Sequence, residues 1–301
     1  MNTIETRNLS HRYGRTEVLH DLTLEVPEGR VFALLGANGA GKTTAIKVLM
    51  NLLRPSAGSA RVLGVDSVRL GPAELGRIGY VSENQEMPGW MTVRGLLDYC
   101  RPFYPTWDRG LESRLLREFE LPEWRRIRDL SRGMAMKAAL LSSLAYRPRL
   151  LVLDEPFSGL DALAREEFVH GILEVAGFGE WTVFVSSHDI EEVERLADTV
   201  ALLDSGRLSF AESTDSLLGR FRRIEAVTPS GDPRPPPGML EWSREGARVR
   251  YVVGDYSADQ LGRWAGEQGP GASAEAVPMT LREIFIALAR KSRSRAKEAA
   301  L

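Results

Sequence analysis

A glycine-rich segment between an apolar run and a helix-forming run constrains this chain more than any other part of its sequence. Val31–Leu35 precedes the segment, which consists of Gly36, Ala37, Asn38, Gly39, Ala40, Gly41, Lys42, Thr43 and Thr44. This order predicts a buried strand, a tight turn and a helix, and the glycines allow backbone N–H groups to surround phosphate oxygens at the positive end of that helix. We expect Lys42 to contact the outer phosphates and the Thr43 hydroxyl to complete a Mg²⁺ shell. A glycine turn with a lysine by chance is the alternative, and the strand and helix on either side argue against it.

The composition of the whole chain excludes several classes of protein. With 301 residues and 43% hydrophobic content, it can form one large domain or two ordinary ones. The net charge of -2 gives no global basic field for nucleic acid. Cys100 is the only cysteine, which excludes an internal disulfide and fits a reducing compartment. The longest apolar runs, such as 138–145, are far below the roughly 20 residues of a membrane span, and the N-terminus lacks a basic-then-apolar leader, so we expect no export.

Two further apolar runs end in polar residues suited to chemistry. Leu150–Leu153 is followed by Asp154 and Glu155, at the end of a strand where open α/β sheets place their ligands. Asp154 suits Mg²⁺ binding, directly or through water, and Glu155 can orient and deprotonate an attacking water; the alternative for the pair is a helix cap. His188 follows the strand predicted at 182–187 and is either a structural histidine or a sensor of the terminal phosphate.

The regions around these strands have different sequence patterns. Residues 4–26 alternate as strands of an antiparallel flap, in which Tyr13 is either a stacking platform for a flat base or an ordinary half-buried aromatic. Residues 84–145 read as a helical insertion, with caps at Thr92 and Asp108 and a long apolar helix from Ala135. The acidic residues Glu191, Glu192 and Glu194 predict a solvated helix face.

Beyond Gly219 the sequence predicts a small accessory domain, 220–301. It opens with a stiff loop that contains Pro229, Pro233, Pro235, Pro236 and Pro237, followed by a strand at 248–253 and a short helix at 257–266. Thr280 can cap a last helix whose apolar face carries Leu281, Ile284, Phe285 and Leu288. The basic residues Arg290, Lys291, Arg293, Arg295 and Lys297 then form either a disordered solvated tail or a segment attracted to anionic lipid.

In this order, the segments resemble the ATP-binding subunits of ATP-binding cassette (ABC) transporters over about residues 3–218. Gly36–Thr44 is similar to the family's Walker A loop, Leu150–Glu155 to Walker B and Leu130–Met134 to the signature loop that defines the family. Tyr13 is similar to its adenine-stacking aromatic, 158–161 to its D-loop and His188 to its switch histidine. The resemblance implies an α/β fold: a P-loop NTPase core of ABC-ATPase type at 1–219, with an antiparallel β subdomain and a helical subdomain, before the C-terminal α+β domain.

The resemblance also implies a mechanism. Two copies, or one copy and a homologous cassette, pair head to tail and enclose ATP and Mg²⁺ between the Walker A loop of one and the signature loop of the other. Ser131, Gly133 and Asp161 then join the nucleotide contacts, while Glu155, His188 and Lys42 serve hydrolysis. The helical insertion passes the motion to a separate integral-membrane permease, which implies a peripheral location at the cytoplasmic face of the membrane. The short chain with a C-terminal extension is most similar to bacterial exporter-type cassettes.

Two residues depart from the family pattern. The signature segment has Arg132 where glycine is common, although Ser131 and Gly133 are kept. Glu83 stands at the family's usual glutamine position, where it either contacts the Mg²⁺ shell or leaves that role to Gln85. The rival functions are a soluble ABC-type ATPase acting on nucleic acid or ribosomes, which usually has two cassettes or long coiled coils, and a cassette that binds nucleotide without hydrolysis, which Glu155 and His188 argue against.

Overall fold

The computed structural model of the chain describes residues 1–176, 181–227, 235–236, 238–268 and 272–298. The chain divides into two compact units, Met1–Ala211 and Glu212–Leu301. The division falls before the predicted boundary at residue 219, so 212–219 belong with the second unit. Among the described residues, no helix combines the length and the apolar character needed to cross a membrane.

The first unit alternates strands and helices, with a helical stretch between its sixth and seventh strands. Its elements are β1 Asn2–Tyr13, β2 Thr16–Pro27, β3 Val31–Leu35, α1 Lys42–Leu49, β4 Ala57–Val62, β5 Val65–Asp66, α2 Pro72–Leu75, β6 Ile78–Ser82, α3 Val93–Cys100, α4 Arg109–Glu118, α5 Arg132–Leu144, β7 Leu150–Asp154, α6 Ala162–Ala176, β8 Thr182–Ser187, α7 Ile190–Val193, β9 Thr199–Asp204 and β10 Arg207–Ser213.

These strands form two sheets. The antiparallel flap has the order β2-β1-β4-β5, and the central sheet has the order β10-β9-β3-β8-β7-β6. Within the central sheet, β6, β7, β8, β3 and β9 pair in parallel. Strands β3, β7 and β8 are buried along their whole length, because helices and the flap cover both faces, and this explains their uninterrupted apolar runs.

The register of the central sheet brings the ends of its parallel strands to one edge. Ser82 pairs with Asp154, Asp154 with Ser186, and Leu35 with Ser187. The residues that follow these strands therefore emerge side by side at the carboxyl edge of the sheet. They are Gly36, Glu83, Glu155 and His188.

The helical insertion is organised by side-chain caps and one buried carboxylate. Thr92 accepts a hydrogen bond from the N–H of Gly95 at 3.0 Å, and Asp108 accepts one from Leu111 at 2.9 Å, as predicted for N-caps. Glu112 of α4 is buried and accepts hydrogen bonds from Arg94, Arg101 and Trp107. Helix α5 begins at Arg132 rather than at the predicted Ala135, because the Ser131 side chain caps it through the N–H of Met134 at 3.2 Å.

The second unit is a four-stranded antiparallel sheet with helices. Its elements are α8 Thr214–Arg220, β11 Arg222–Val227, β12 Met239–Glu245, β13 Arg248–Val253, α9 Ala258–Glu267, β14 Ser273–Pro278 and α10 Leu281–Glu298, and the strand order is β12-β13-β11-β14. Trp264 of α9 packs edge-on against Tyr251 in its core, with ring centroids 5.4 Å apart. Of the predicted proline loop, Pro229, Pro233 and Pro237 lie outside the described residues.

Thr280 caps the last helix as predicted. Its N–H donates to Glu283 at 2.9 Å and its hydroxyl accepts from the N–H of Glu283 at 3.3 Å, a reciprocal capping box. Helix α10 then continues to Glu298. The basic segment from Arg290 is therefore helical through Glu298, and the expectation of a disordered tail was wrong for this part.

Candidate functional site

The glycine segment forms a loop in which three positions require glycine, either because of their backbone conformation or because another part of the chain lies too close for a side chain. Gly39 and Gly41 have φ values of +83° and +105°, a region that favours glycine. At Gly36 a Cβ atom would lie 2.4 Å from the backbone oxygen of Leu203, so the close approach itself requires glycine. Helix α1 begins directly after this loop, which leaves its first N–H groups available to an anion.

Lys42 lies in this loop with its ammonium group enclosed by oxygens. Its side chain is 5% exposed, and Nζ donates to the backbone oxygens of Gly36 at 2.6 Å and Ala37 at 3.2 Å. Nζ also forms an ion pair with Glu155, at 2.9 Å from its Oε1. The lysine thus joins the glycine loop to the turn that follows β7.

Thr43 and Asp154, the two residues predicted to bind Mg²⁺ at the glycine loop and at the end of β7, are in contact with each other. The Thr43 hydroxyl donates to Oδ1 of Asp154 at 3.1 Å, and the same oxygen accepts from the Ser186 hydroxyl at 2.7 Å. Burial raises the pKa of Asp154 above its ordinary value, while the hydrogen bonds from Ser186 and Thr43 oppose this change. Ser186 was missed as a site residue, although a serine in an otherwise apolar strand is a signal that the sequence carries.

Glu155 connects Lys42 to His188. Its Oε2 lies 2.7 Å from Nδ1 of His188 and also accepts a hydrogen bond from the His188 N–H at 3.3 Å. Glu155 has a φ of +51°, uncommon for a residue with a side chain, and its N–H donates to the Ser186 hydroxyl at 3.0 Å. The carboxylate is thus held between the ammonium group of Lys42 and the imidazole of His188.

The carboxylate of Glu83 does not join Thr43 and Asp154. Its Oε1 accepts hydrogen bonds from the Ser158 hydroxyl at 2.7 Å and from Arg132 at 2.8 Å. Gln85 uses its Oε1 to accept from the N–H of Ser82 at 3.4 Å. Within the described part of the chain, no hydrogen bond or ion pair links either side chain to Thr43 or Asp154. The two alternatives for the Mg²⁺ role therefore both remain predictions, and this structure gives the carboxylate of Glu83 other partners.

The remaining predicted residues make other contacts in the described part of the chain. Tyr13 ends β1 and is 47% exposed, and its ring lies edge-on to that of His11 with the ring centroids 4.7 Å apart. Ser131 is exposed and caps α5, and Asp161 accepts from the N–H of Ala164 at 2.8 Å at the start of α6. Gly133 packs tightly on α6, since a Cβ there would lie 2.9 Å from Cβ of Ala164. In the residues that the structure describes, no hydrogen bond joins Ser131 or Asp161 to the glycine loop.

The acidic helix after His188 differs from the prediction. Glu192 is buried, accepts from the Ser187 hydroxyl at 2.8 Å and pairs with Arg165 of α6 at 3.1 Å. Burial raises the pKa of Glu192, while Ser187 and Arg165 oppose this change. The expectation of a solvated face was wrong for this residue, because α7 turns one of its acidic side chains into the gap beside α6.

The parallel sheet, the glycine loop and the lysine at its end define a P-loop nucleotide-binding protein. A family model described as ABC transporter matches residues 19–158. The chain is 29% identical over 222 residues to the ABC transporter ATP-binding protein YtrB of Bacillus subtilis, covering 74% of this chain and 76% of that protein. It is 30% identical over 222 residues to the bacitracin transport ATP-binding protein BcrA of Enterococcus faecalis, covering 73% and 72%. A solved structure of an ATP-binding subunit of an ABC transporter superposes with a TM-score of 0.65 at 28% identity, covering 71% of this chain and 91% of that one.

The chain belongs to the ABC transporter family, as an ATP-binding subunit that hydrolyses ATP. The predicted fold class and family are thereby confirmed. ATP-binding subunits of this family work with membrane permease components.

Proposed function

We propose that Glu155 is the general base of hydrolysis and that Lys42 and His188 act on the terminal phosphate beside it. The observation that carries this proposal is the placement of one carboxylate 2.9 Å from Nζ of Lys42 and 2.7 Å from Nδ1 of His188. ATP would enter between the glycine loop and this carboxylate, and Lys42 would exchange Glu155 for phosphate oxygens. The freed carboxylate then accepts a proton from the attacking water, with His188 next to it.

Mg²⁺ fits the oxygen atoms of Thr43 and Asp154. A hydroxyl and a carboxylate are hard ligands of the kind that Mg²⁺ selects, and phosphate oxygens and waters usually supply the rest of its shell. The buried Asp154 carboxylate is disfavoured in its ionised form without a cation, in line with its raised pKa. Bound there, the ion would neutralise charge that develops on the phosphates during transfer. Thr43 and Asp154 would hold it, and Ser186 would orient the Asp154 carboxylate.

Two observations support a head-to-tail dimer as the active form. Ser131 and Asp161 are exposed, and neither bonds to the glycine loop of its own chain in the described residues. The capped start of α5 therefore presents free N–H groups and a positive helix end to another molecule. We propose that this end meets the γ-phosphate bound by a second copy or a homologous cassette. The proposed location is the cytoplasmic face of the membrane.

The helical insertion supports a membrane partner. Four large aromatic side chains are exposed on it, and aromatic side chains are enriched at protein contacts. They are Trp90, Tyr99, Phe103 and Trp124. We propose that this surface docks on a separate permease, whose identity then decides the substrate. That the cassette is of the exporter-like type stays a prediction. Measuring the direction of transport by the reconstituted complex tests it.

Replacing Glu155 by Gln tests the proposed chemistry. General-base assistance is worth roughly 10² to 10⁴ in rate, so Glu155→Gln should bind ATP as the wild type does but release phosphate at least a hundred times more slowly. Glu166→Gln, an exposed carboxylate on α6, is the matched control and should retain full activity. Wild-type turnover by Glu155→Gln would remove Glu155 from the mechanism.

Crosslinking tests the proposed dimer in the same variant. Cys100→Ser supplies a background without thiols, and Asn38→Cys on one copy with Ser131→Cys on the other should crosslink only when ATP is present. Asn38→Cys with Arg128→Cys, a neighbouring exposed position, is the control pair. Crosslinking that ignores ATP, or that is equal for both pairs, would contradict the dimer.

A further inference from the structure

The two residues that depart from the family pattern are in contact with each other. Arg132 donates from Nη2 to Oε1 of Glu83 at 2.8 Å, and the Ser158 hydroxyl donates to the same oxygen at 2.7 Å. The hydrogen bond from Ser158 is the largest cause of a lowered pKa for Glu83, and Arg132 adds to it. We refer to Glu83, Arg132 and Ser158 as the Glu83 cluster. It joins three segments that are far apart in sequence: the end of β6, the start of α5 and the turn after β7.

The turn after β7 is shaped to receive the guanidinium group. Gly159 has a φ of +68°, and a Cβ atom at that position would lie 2.5 Å from Nη1 and 2.6 Å from Cζ of Arg132. Any side chain on residue 159 would therefore push the guanidinium away. Arg132 lies directly on the backbone of the turn, and its hydrogen bond to Glu83 keeps it there.

The same turn carries Glu155, and the Glu83 cluster is bonded to it on both sides. The Glu83 N–H donates to the backbone oxygen of Asp154 at 2.9 Å, and the Ser158 N–H donates to that of Glu155 at 3.2 Å. Glu155 itself has the positive φ of +51°. A residue in such a conformation persists only where its surroundings hold it. The side chain of Glu83 thus links the end of β6 to the turn that contains Glu155, through its hydrogen bond with Ser158, and Arg132 holds that side chain in place.

We propose that Arg132 is a positioning residue for Glu155, acting through Glu83 and Ser158 of the same chain. The two departures from the family pattern form one unit: the positive charge of Arg132 neutralises the carboxylate that Glu83 brings near the nucleotide, and their contact fixes the catalytic turn. The signature segment then acts on the carboxylate of its own chain, in addition to any nucleotide that it meets on another copy. This inference rests on the proposed role of Glu155 as general base.

A double-mutant cycle with phosphate release as the readout tests the inference. Arg132→Ala, Glu83→Ala and the double variant are compared with wild type, and Ser158→Ala removes only the hydroxyl of the third member. We expect each single variant to lose about tenfold in kcat while KM for ATP stays within about twofold, because the glycine loop is untouched. The double variant should lose no more than either single variant, since contacting residues are coupled. Losses that multiply to about a hundredfold in the double variant would overturn the inference.

Two matched controls separate the contact from general charge effects. Arg128→Ala removes an exposed arginine from the loop before α5, and Glu86→Gln removes an exposed carboxylate three residues after Glu83. Both should hydrolyse ATP at the wild-type rate. A Mg²⁺ titration adds a second readout: Glu83→Ala should keep the wild-type half-saturation. A shift of tenfold or more that persists with alanine at position 132 would assign Glu83 to the metal and overturn the inference.

The Glu155→Gln background distinguishes failure of this inference from failure of the proposed function. If Arg132 acts through Glu155, Arg132→Ala should cause no further loss of rate in Glu155→Gln. A loss of the same factor in both backgrounds would overturn the positioning role and leave the general base intact. Wild-type turnover by Glu155→Gln alone would instead refute the general base, whatever the residue at position 132. Thermal unfolding of each variant shows that it is folded, and Ser158→Ala carries the test if Arg132→Ala does not fold.

Discussion

Gly159→Ala separates the strain of a positive φ from the position of Arg132. Gly159 and Gly64 both have positive φ values, +68° and +81°. A Cβ atom on Gly64 meets nothing within 4 Å, whereas one on Gly159 would lie 2.5 Å from the guanidinium of Arg132. Gly64→Ala is therefore the matched control: it pays the same backbone cost and displaces no neighbour.

The magnitudes follow from this geometry. An L-residue in the left-handed region costs about 1 kcal/mol, so each variant should lower the free energy of unfolding by that amount. For a unit of the size of Met1–Ala211 this corresponds to a fall of roughly 2–4 °C in Tm. The clash at Gly159 is with the end of a flexible side chain, which moves away at little further cost in stability. When the guanidinium moves, its contact with Glu83 is lost. The kcat of Gly159→Ala should therefore fall toward that of Arg132→Ala, about tenfold below wild type.

The assay is thermal unfolding without nucleotide together with steady-state ATP hydrolysis. We expect equal losses of Tm in the two variants and a loss of kcat only in Gly159→Ala, with KM for ATP unchanged. Equal activity of Gly159→Ala and Gly64→Ala would refute the reasoning, because the guanidinium would then have left the turn without effect. A much larger fall of Tm for Gly159→Ala would show that the methyl group meets a rigid neighbour.

Three further predictions follow from burial and exposure. Because burial raises the pKa of Asp154, the ionised carboxylate lowers the stability of the folded protein above that pKa, and this loss disappears as the pH falls below it. Asp154→Asn should therefore raise the Tm of the nucleotide-free protein at pH 8 but not near pH 4. Equal Tm values for Asp154→Asn and wild type at pH 8 would contradict this. Glu112→Gln removes the buried carboxylate that pairs with Arg94 and Arg101, and it should lower the free energy of unfolding in urea by about 3 kcal/mol. A urea midpoint equal to that of wild type would contradict this. Tyr13→Ala should raise KM for ATP roughly fivefold or more while Tyr13→Phe does not, since stacking on a base is worth about 1–3 kcal/mol; an unchanged KM would make the exposed ring an ordinary strand residue.

The sequence predicted the strand ends well because their pattern is local. An apolar run followed by a glycine loop, by an acidic pair or by a histidine identifies three strands of one sheet, and parallel strands align such ends at the same edge. The proximity of Lys42, Thr43, Asp154, Glu155 and His188 follows from that rule. The contact between Lys42 and Glu155 does not, because it depends on the conformation that the turn after β7 imposes on Glu155.

Residues whose role depends on tertiary packing were not predictable in this way. Glu192 belongs to an acidic series that is typical of an exposed helix face, and only the position of Arg165 on the neighbouring α6 makes it a buried partner. Gly133 shows the reverse case, since a glycine expected to approach phosphate also packs on Ala164. For both residues, the neighbour that decides the role comes from elsewhere in the chain.

The pair of Glu83 and Arg132 extends this argument from single residues to departures from a family pattern. Taken separately, a carboxylate near the γ-phosphate adds repulsion, and an arginine at a helix start fills a position usually occupied by glycine. Together they form a neutral pair that rests on Gly159 and binds Ser158, so that each removes the disadvantage of the other. A substitution of one alone leaves a charge without its partner beside the turn that carries Glu155. The two residues are therefore expected to change together, and either single substitution is predicted to lower kcat by about tenfold.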